Sequence, residues 1–168
     1  ETLRLDKNTL SGEIDLRSLP SALLDLCLHE NAFSGSLDLT TVPVTLEVLT
    51  AWTNKLEGEV DLSSLPPALE ILSVRNNLLS GIVNLTQLPP TLKGLYLNGN
   101  RFHGDIDLRA LPVTMENLRL QDNSFDGNLI LGALPRNLET LDLEKNALRK
   151  DRVVGFDDLP PKDKKRFE

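Results

Sequence analysis

Cys27 and His29 are the pair of side chains best suited to nucleophilic chemistry, because a thiol and an imidazole stand one residue apart. Nucleophilic catalysis needs a nucleophile within reach of a general base. If both residues lie on one strand, their side chains point the same way and lie about 6–7 Å apart. Asp25 or Glu30 is the candidate orienting group. A sheet surface offers neither a water-excluding cleft nor oxyanion donors, so we predict that the protein is not an enzyme.

Carboxylates could in principle bind a metal ion. Asp or Asn recurs at a constant interval, at Asp15, Asp38, Asp61, Asn84 and Asp107. Calcium needs about 6–8 oxygens that converge on one point, whereas this spacing spreads the groups along a flank. We therefore predict turn-capping side chains, no metal and no cofactor. The run Asn84-Leu85-Thr86 is also a glycosylation sequon, and its use stays open.

A sequence repeat of constant length must position all of these groups. Its most regular column is asparagine, at Asn8, Asn31, Asn54, Asn77, Asn100, Asn123 and Asn146. The unit reads L-x-x-L-x-L-x-x-N-x-L-x-G-x-I-D-L-x-x-L-P-x-x. The L-x-L part predicts a short strand with inward leucines, and I-D-L predicts a second strand on the flank. The asparagine amides are expected to form a structural ladder between coils.

With L-x-x-L-x-L-x-x-N in seven copies, the chain resembles leucine-rich repeat proteins. The N-x-L-x-G-x-I segment is similar to the plant type, although Asp or Asn stands where that type has proline. The whole unit most resembles the leucine-rich repeat proteins of protists, kinetoplastids among them. The resemblance implies an α/β-type solenoid: a right-handed horseshoe of about seven repeats, with one parallel sheet on the concave face and little true helix.

The repeat boundaries predict two parts. Residues 1–148 form the solenoid, with a truncated first repeat, and residues 149–168 form an irregular cap or an exit into further chain. The chain begins in mid-repeat, which predicts a longer parent chain or an assembly.

The outward positions of the concave strands are the candidate binding residues, because they vary between repeats. We name nine of them the central patch: Cys27, His29, Val48, Thr50, Trp52, Ile71, Ser73, Arg75 and Tyr96. One column should bring together His29, Trp52 and Arg75, so that Arg75 stacks on Trp52. Val48 and Ile71 are expected to be exposed. Aromatic and arginine side chains on an apolar floor favour an interface, although scattered apolar surface residues are also ordinary.

These features predict a protein-interaction scaffold that binds an unknown protein partner through its concave face. One alternative is a structural module that makes contacts through its ends or convex side. A weaker alternative is the recognition domain of a surface receptor or antigen. A net charge of −7 argues against nucleic acid, and no apolar run is long enough to span a membrane. The single cysteine weakly favours an intracellular, cytoplasmic location, with a surface or extracellular one left open.

Overall fold

The computed structural model describes residues 1–164 without the side chain of Lys162. Residues 165–168, the end of the predicted cap, lie outside the described residues. In chain order the strands are β1 (Thr2–Arg4), β2 (Ser11–Glu13), β3 (Asp25–Cys27), β4 (Ala32–Gly35), β5 (Val48–Thr50), β6 (Lys55–Glu59), β7 (Ile71–Ser73), β8 (Leu78–Ile82), β9 (Gly94–Tyr96), β10 (Arg101–His103), β11 (Ile106–Asp107), β12 (Asn117–Arg119), β13 (Leu129–Ile130), β14 (Thr140–Asp142) and β15 (Val153–Val154).

The helical segments within residues 1–164 are short. Two 3₁₀ turns occur at Leu39–Thr41 and Lys150–Arg152, and α1 covers Pro161–Lys164. The prediction of a solenoid with little true helix is therefore confirmed.

The concave sheet contains seven parallel strands in the order β1-β3-β5-β7-β9-β12-β14. Each strand pairs with the next at a shift of one full repeat, as in Leu26 with Leu49 and Leu49 with Leu72. In β3, β5, β7, β9 and β12 the middle residue points into the core and is at most 1% exposed. The residues on either side of it point outward, because side chains alternate along a strand.

The flank of the solenoid contains more β-strands than the repeat pattern predicts. A five-stranded sheet has the order β10-β8-β6-β4-β2, and a three-stranded sheet has the order β11-β13-β15. In the first five coils the flank strand contains or adjoins the repeat glycine and precedes I-D-L. Only β11 and β13, and β15 in the last coil, lie where a strand at I-D-L was expected. The second strand was therefore placed correctly only toward the end of the solenoid.

The core between these sheets is aliphatic with three phenylalanines. Phe102 and Phe125 are fully buried and Phe33 is 9% exposed. Each coil buries its leucines against the next coil, because one coil alone cannot cover them. A buried leucine contributes about 1.5–3 kcal/mol, so stacked coils need no disulfide.

Asparagine side chains join adjacent coils along the solenoid. The amide nitrogen of Asn77 donates to the carbonyls of Val74, in its own coil, and Ala51, in the preceding one, at 3.0 Å each. Its Oδ1 accepts a hydrogen bond from the backbone N–H of Leu56 at 3.0 Å. The same three-way pattern recurs at Asn31, Asn54, Asn100, Asn123 and Asn146. Asn8 is exposed, and within residues 1–164 its side chain bonds only to the carbonyls of Leu5 and Asp6.

A second column of hydrogen bonds, from threonine, was not predicted. The hydroxyl of Thr91 lies within hydrogen-bonding distance of the carbonyls of Pro67 and Leu69, at 2.8 and 2.9 Å. Thr45 and Thr114 make the same contacts to their preceding coils. Ala68 stands at the equivalent position between Thr45 and Thr91 and has no hydroxyl, so the column is interrupted there.

The residue before each asparagine has left-handed backbone. Its φ lies between 52° and 56° at Lys7, Glu30, Thr53, Asn76, Asp122 and Lys145, and is 69° at Gly99. Such a conformation costs about 1–2 kcal/mol for residues other than glycine. Thr53 is the β-branched member of the column, so it is the member least suited to this backbone.

The described part of the C-terminal segment packs on the last coil. Strand β15 pairs with β13, and the backbone N–H of Leu131 donates to the carbonyl of Val154 at 2.8 Å. Leu159 is 4% exposed, and Phe156 packs against the core. Residues 149–164 thus extend the flank sheet, while the domain boundary after residue 148 stays a prediction.

Candidate binding surface on the concave face

The central patch lies on four adjacent strands, β3, β5, β7 and β9, and on the residues just after them. The register places Cys27, Thr50, Ser73 and Tyr96 side by side in one column. Side chains from neighbouring coils therefore face solvent together, about 4.8 Å apart along the solenoid.

Trp52 lies between two side chains from the adjacent coils. The imidazole of His29 stacks on the indole, with 4.3 Å between ring centroids and 12° between ring planes. The guanidinium carbon of Arg75 lies 4.5 Å from the centroid of the indole ring. Both are favourable aromatic geometries, and together they hold the indole in one orientation.

A hydrogen bond and a nearby carboxylate position His29 in turn. Its Nδ1 lies 2.9 Å from the hydroxyl of Thr50, and its Nε2 lies 3.5 Å from a carboxylate oxygen of Asp6. The side chains of His29 and Asp6 are 12% and 13% exposed. Residues from four consecutive coils, from Asp6 to Arg75, therefore support the position of Trp52.

These contacts remove the groups that a catalytic pair would need. Both ring nitrogens of His29 have partners, and among the described residues no hydrogen bond joins His29 to Cys27. The structure does not show Asp25 as a hydrogen-bond partner of His29. Asp25 accepts a hydrogen bond from the hydroxyl of Thr2 at 2.8 Å, and the carboxylate beside His29 is that of Asp6. His29 is thus positioned to stack on Trp52.

A concavity of about 270 Å³ opens beside Trp52. Ser73 forms its floor and is 6% exposed. Its lining is Thr50, Trp52, Ile71, Ser73, Arg75, Tyr96, Asn98 and Arg119. The small side chain of Ser73 between Trp52 and Tyr96 leaves room for one side chain of a partner.

Tyr96 takes its position from the absence of a side chain at Gly94. A Cβ built on Gly94 would lie 2.8 Å from Cε2 and 3.3 Å from the hydroxyl of Tyr96. The ring therefore lies over Gly94, along its own strand. Spacing alone does not predict this orientation, although a glycine two residues before an exposed tyrosine is a signal for it.

Two predicted exposures were wrong. Val48 and Ile71 are half-buried, each between two neighbouring strands of the concave sheet. They form an apolar edge of the patch and are less prominent than expected.

A second exposed apolar surface escaped sequence reasoning. The residue after the repeat proline is apolar on four successive coils, at Val44, Pro67, Pro90 and Val113, which we name the flank ridge. All four are exposed, and Val44 and Val113 are 69% and 79% exposed. The signal was available as a constant position in the repeat, but it lies outside the strand columns.

The carboxylates of the aspartate column accept hydrogen bonds from residues of their own turns. The Arg17 guanidinium, followed by its backbone N–H, lowers the pKa of Asp15 to about 2. Hydroxyls of Thr40 and Ser63 are the main cause of lowered pKa values at Asp38 and Asp61. Among residues 1–164, no group of three or more His, Cys, Asp or Glu side chains is arranged to hold a metal ion.

Asn84 makes the same turn without a charge. Its Oδ1 accepts hydrogen bonds from the backbone N–H and the hydroxyl of Thr86, at 2.9 and 2.7 Å. The side chain is exposed, so the sequon lies at the surface.

In the described part of the chain, no helix is long and apolar enough to cross a membrane.

The parallel coils, the inward leucines and the asparagine hydrogen bonds define a leucine-rich repeat solenoid. No family model and no curated relative matches the sequence.

Solved structures share the fold. PEPR1-AtPEP1 matches 88% of this chain with 26% identity and a TM-score of 0.68, and the match spans only 22% of that chain. Pollen Receptor Kinase 3 matches 92% of this chain with 24% identity and a TM-score of 0.64, and the match spans 75% of that chain. The plant peptide hormone receptor RGFR1 in complex with RGF2 aligns at 20% identity over 87% of this chain and 36% of that chain, and its TM-score of 0.36 is too low to support an argument.

Proposed function

We propose that this protein is a non-catalytic scaffold that binds a protein partner through the central patch. The observation that carries the proposal is the Trp52 indole held between His29 and Arg75 at the edge of the concavity. Interface hot spots are enriched in tryptophan, tyrosine and arginine. The patch contains the single tryptophan and the single tyrosine of the chain.

The geometry favours binding in a second way. Side chains that are already ordered lose little rotamer freedom when a partner docks. Trp52 is ordered by ring stacking, and Tyr96 lies over the space that Gly94 leaves free. A preformed concavity of about 270 Å³ accepts one side chain without rearrangement.

An alternative is a structural module that makes contacts away from the concave face. The flank ridge supports it, because four exposed apolar residues on successive coils form a continuous strip. Larger exposed apolar strips commonly mark interaction surfaces. The parent chain or assembly would then cover this strip.

The compartment is also a proposal. Cys27 is the single cysteine and is half-buried, so we propose a reducing, cytoplasmic setting. The receptor or antigen alternative requires a secreted chain, in which Asn84 would be exposed to glycosylation. Deglycosylation of protein from its native source separates the two, because a mass shift would reject the cytoplasmic proposal. The resemblance to protist repeats likewise stays a prediction.

The two binding surfaces can be separated by matched variants. Affinity capture from native lysate, quantified by mass spectrometry, would compare wild type with Trp52→Glu/Tyr96→Glu and with Val44→Glu/Val113→Glu. Each double variant adds two carboxylates to one surface. Circular dichroism would first establish that both variants fold.

The proposal expects a specific partner that is lost with the Trp52/Tyr96 variant and kept with the Val44/Val113 variant. The opposite result would transfer the function to the flank ridge. A partner retained by both variants would reject both surfaces.

A further inference from the structure

Arg75 and Arg119 are unpaired cations on the rim of the concavity. Both line it, and within residues 1–164 neither guanidinium makes an ion pair or a hydrogen bond to a side chain. Asp142 is the strand neighbour of Arg119, but its Oδ1 accepts the backbone N–H of Glu144 at 3.1 Å. The two guanidinium groups therefore keep their donors free for a partner.

Some of the other arginines in the chain are paired, whereas Arg101, Arg136 and Arg152 also make no ion pair within residues 1–164. Arg17 and Arg109 each pair with a carboxylate two residues away, at 2.9 and 2.7 Å. Arg149 does the same with Asp151 at 2.7 Å. On the concave rim this local pairing is missing, although the chain has a net charge of −7 and many carboxylates to supply it.

Buried acceptors point to the same surface. Oδ1 of Asn98 and Oε1 of Gln121 are buried and have no hydrogen-bond partner among the described residues. Asn98 lines the concavity, and Gln121 lies one coil further along the same column. An unsatisfied buried acceptor costs about 1–3 kcal/mol, and a docked segment can reach either oxygen only if the covering side chains move.

We propose that the partner segment is acidic and extended, with two carboxylates three or four residues apart that bind Arg75 and Arg119. Arg119 ends β12, whereas Arg75 lies two residues beyond the end of β7, so the two arginines are about 9.5 Å apart along the solenoid and about 6.6 Å apart along the strands. An extended segment rises about 3.1–3.4 Å per residue, so residues three or four apart span about 9–14 Å, which brackets the resulting separation of about 11.6 Å. Each carboxylate accepts a bidentate hydrogen bond from a guanidinium.

An apolar side chain next to one of the acidic residues completes the match. It enters the space above Ser73, between Trp52 and Tyr96, while the carboxylates stay on the rim. This inference rests on the proposed function, because it names the chemistry of the partner at the same surface. A nucleic acid would also present anions, but the overall negative charge of the protein opposes a polyanion.

A display library tests the inference without a known partner. Random dodecamers fused to a phage coat protein, with no free carboxyl terminus, would be selected on wild type, Arg75→Gln, Arg119→Gln and Trp52→Glu/Tyr96→Glu. The matched control is Arg101→Gln, which removes an exposed arginine from flank strand β10. Circular dichroism would establish that each variant folds.

The expected enrichment on wild type is a pair of acidic residues three or four positions apart with an adjacent apolar residue. Arg75→Gln and Arg119→Gln should each lose the preference at one acidic position, and Arg101→Gln should keep both. The leading peptide, synthesised with acetyl and amide ends, should bind about tenfold more weakly when either Glu is replaced by Gln. Its binding should also weaken as salt is raised.

Four results would overturn the inference. Peptides that depend on Trp52 and Tyr96 but show no acidic preference would reject it and leave the proposed function standing. Acidic peptides unaffected by Arg75→Gln and Arg119→Gln would do the same. A fluorescein-labelled single-stranded DNA dodecamer that binds through Trp52 more tightly than the peptide would assign the site to nucleic acid. If no peptide is enriched over the Trp52→Glu/Tyr96→Glu variant, the proposed function fails too.

Discussion

The imidazole of His29 lies parallel to the indole of Trp52, with 4.3 Å between centroids and 12° between planes. His29 is held by Thr50 and Asp6, so the stack transmits the rigidity of the first coils to the middle of the concave face. The indole presents its edge to solvent, because its faces contact His29 and Arg75. The indole is thus a fixed aromatic anchor on the concave face.

Replacing Asn77 by alanine should strongly destabilise the solenoid. The change leaves the N–H of Leu56 and the carbonyls of Ala51 and Val74 without their side-chain partner, and Asn77 is buried. We expect a loss of at least about 2 kcal/mol, measured by guanidinium unfolding. Asn8→Ala is the control, since Asn8 is exposed at the first coil, and should cost less than about 1 kcal/mol. Equal losses would contradict a role for inter-coil bonding.

Replacing Ala68 by threonine should stabilise the protein. The new hydroxyl would lie near the carbonyls of Val44 and Leu46, as Thr91 lies near those of Pro67 and Leu69. We expect a gain of about 0.5–1.5 kcal/mol in the free energy of unfolding. Ala68→Val has nearly the same shape without the hydroxyl, and a similar gain in that variant would rule out the hydrogen bond as the cause.

Exchanging Thr53 for asparagine should also stabilise the fold. Thr53 has a φ of 54°, and Asn76 occupies the same repeat position with a φ of 56°. Asparagine tolerates left-handed backbone better than a β-branched residue, so we expect a gain of about 0.5–1 kcal/mol. The reverse substitution, Asn76→Thr, should lower stability by a similar amount in the same denaturation assay. Two changes of the same sign would show that φ is not the cause.

Replacing Gly94 by alanine should displace the Tyr96 ring and weaken binding at the central patch. The added Cβ would lie 2.8 Å from Cε2 of the ring, so the ring must rotate away. Because the chain has one tyrosine, NMR can follow contacts between its ring protons and the α protons of Gly94. These contacts should be present in wild type and lost in the variant. Their absence from wild type would refute the packing described above.

Acid should destabilise the protein through the aspartate column. A pKa of about 2 for Asp15, below its ordinary value of 3.8, means that the folded state favours the charged form. The stabilisation is full above pH 3.8 and is lost as pH falls toward about 2. The lowered pKa values of Asp38 and Asp61 act in the same direction.

Asp61→Asn tests this linkage, since Asn84 makes the same turn with an amide. When the pH is lowered from about 5 to about 2.5, the midpoint of unfolding should fall by less in the variant than in wild type. Asp158→Asn, an exposed residue outside the column, should leave that loss unchanged. An identical loss in all three proteins would count against the turn carboxylates.

Constant spacing explains why the concave sheet could be predicted from sequence. A repeat of fixed length leaves one register in which every leucine faces the core. The neighbours of Trp52 are therefore found by adding or subtracting one repeat length. The flank strands could not be placed in this way, because the glycine and I-D-L segments both permit extended backbone. The direction of Tyr96 depends on packing against Gly94, and the left-handed column uses ordinary residues such as Lys7 and Glu30 that carry no turn signal. Likewise, the threonine column was not recognised in the sequence because Ala68 interrupts it.

The hydrogen bonds between coils also bear on how such a chain can change over generations. Asn77 reaches back 26 residues to Ala51 and accepts from Leu56, 21 residues earlier. Duplication or removal of a block one repeat long leaves every one of these offsets intact at the new junction. Unequal recombination can therefore lengthen, shorten or reorder the concave columns without breaking the register, and the binding surface can diversify while the scaffold is inherited unchanged.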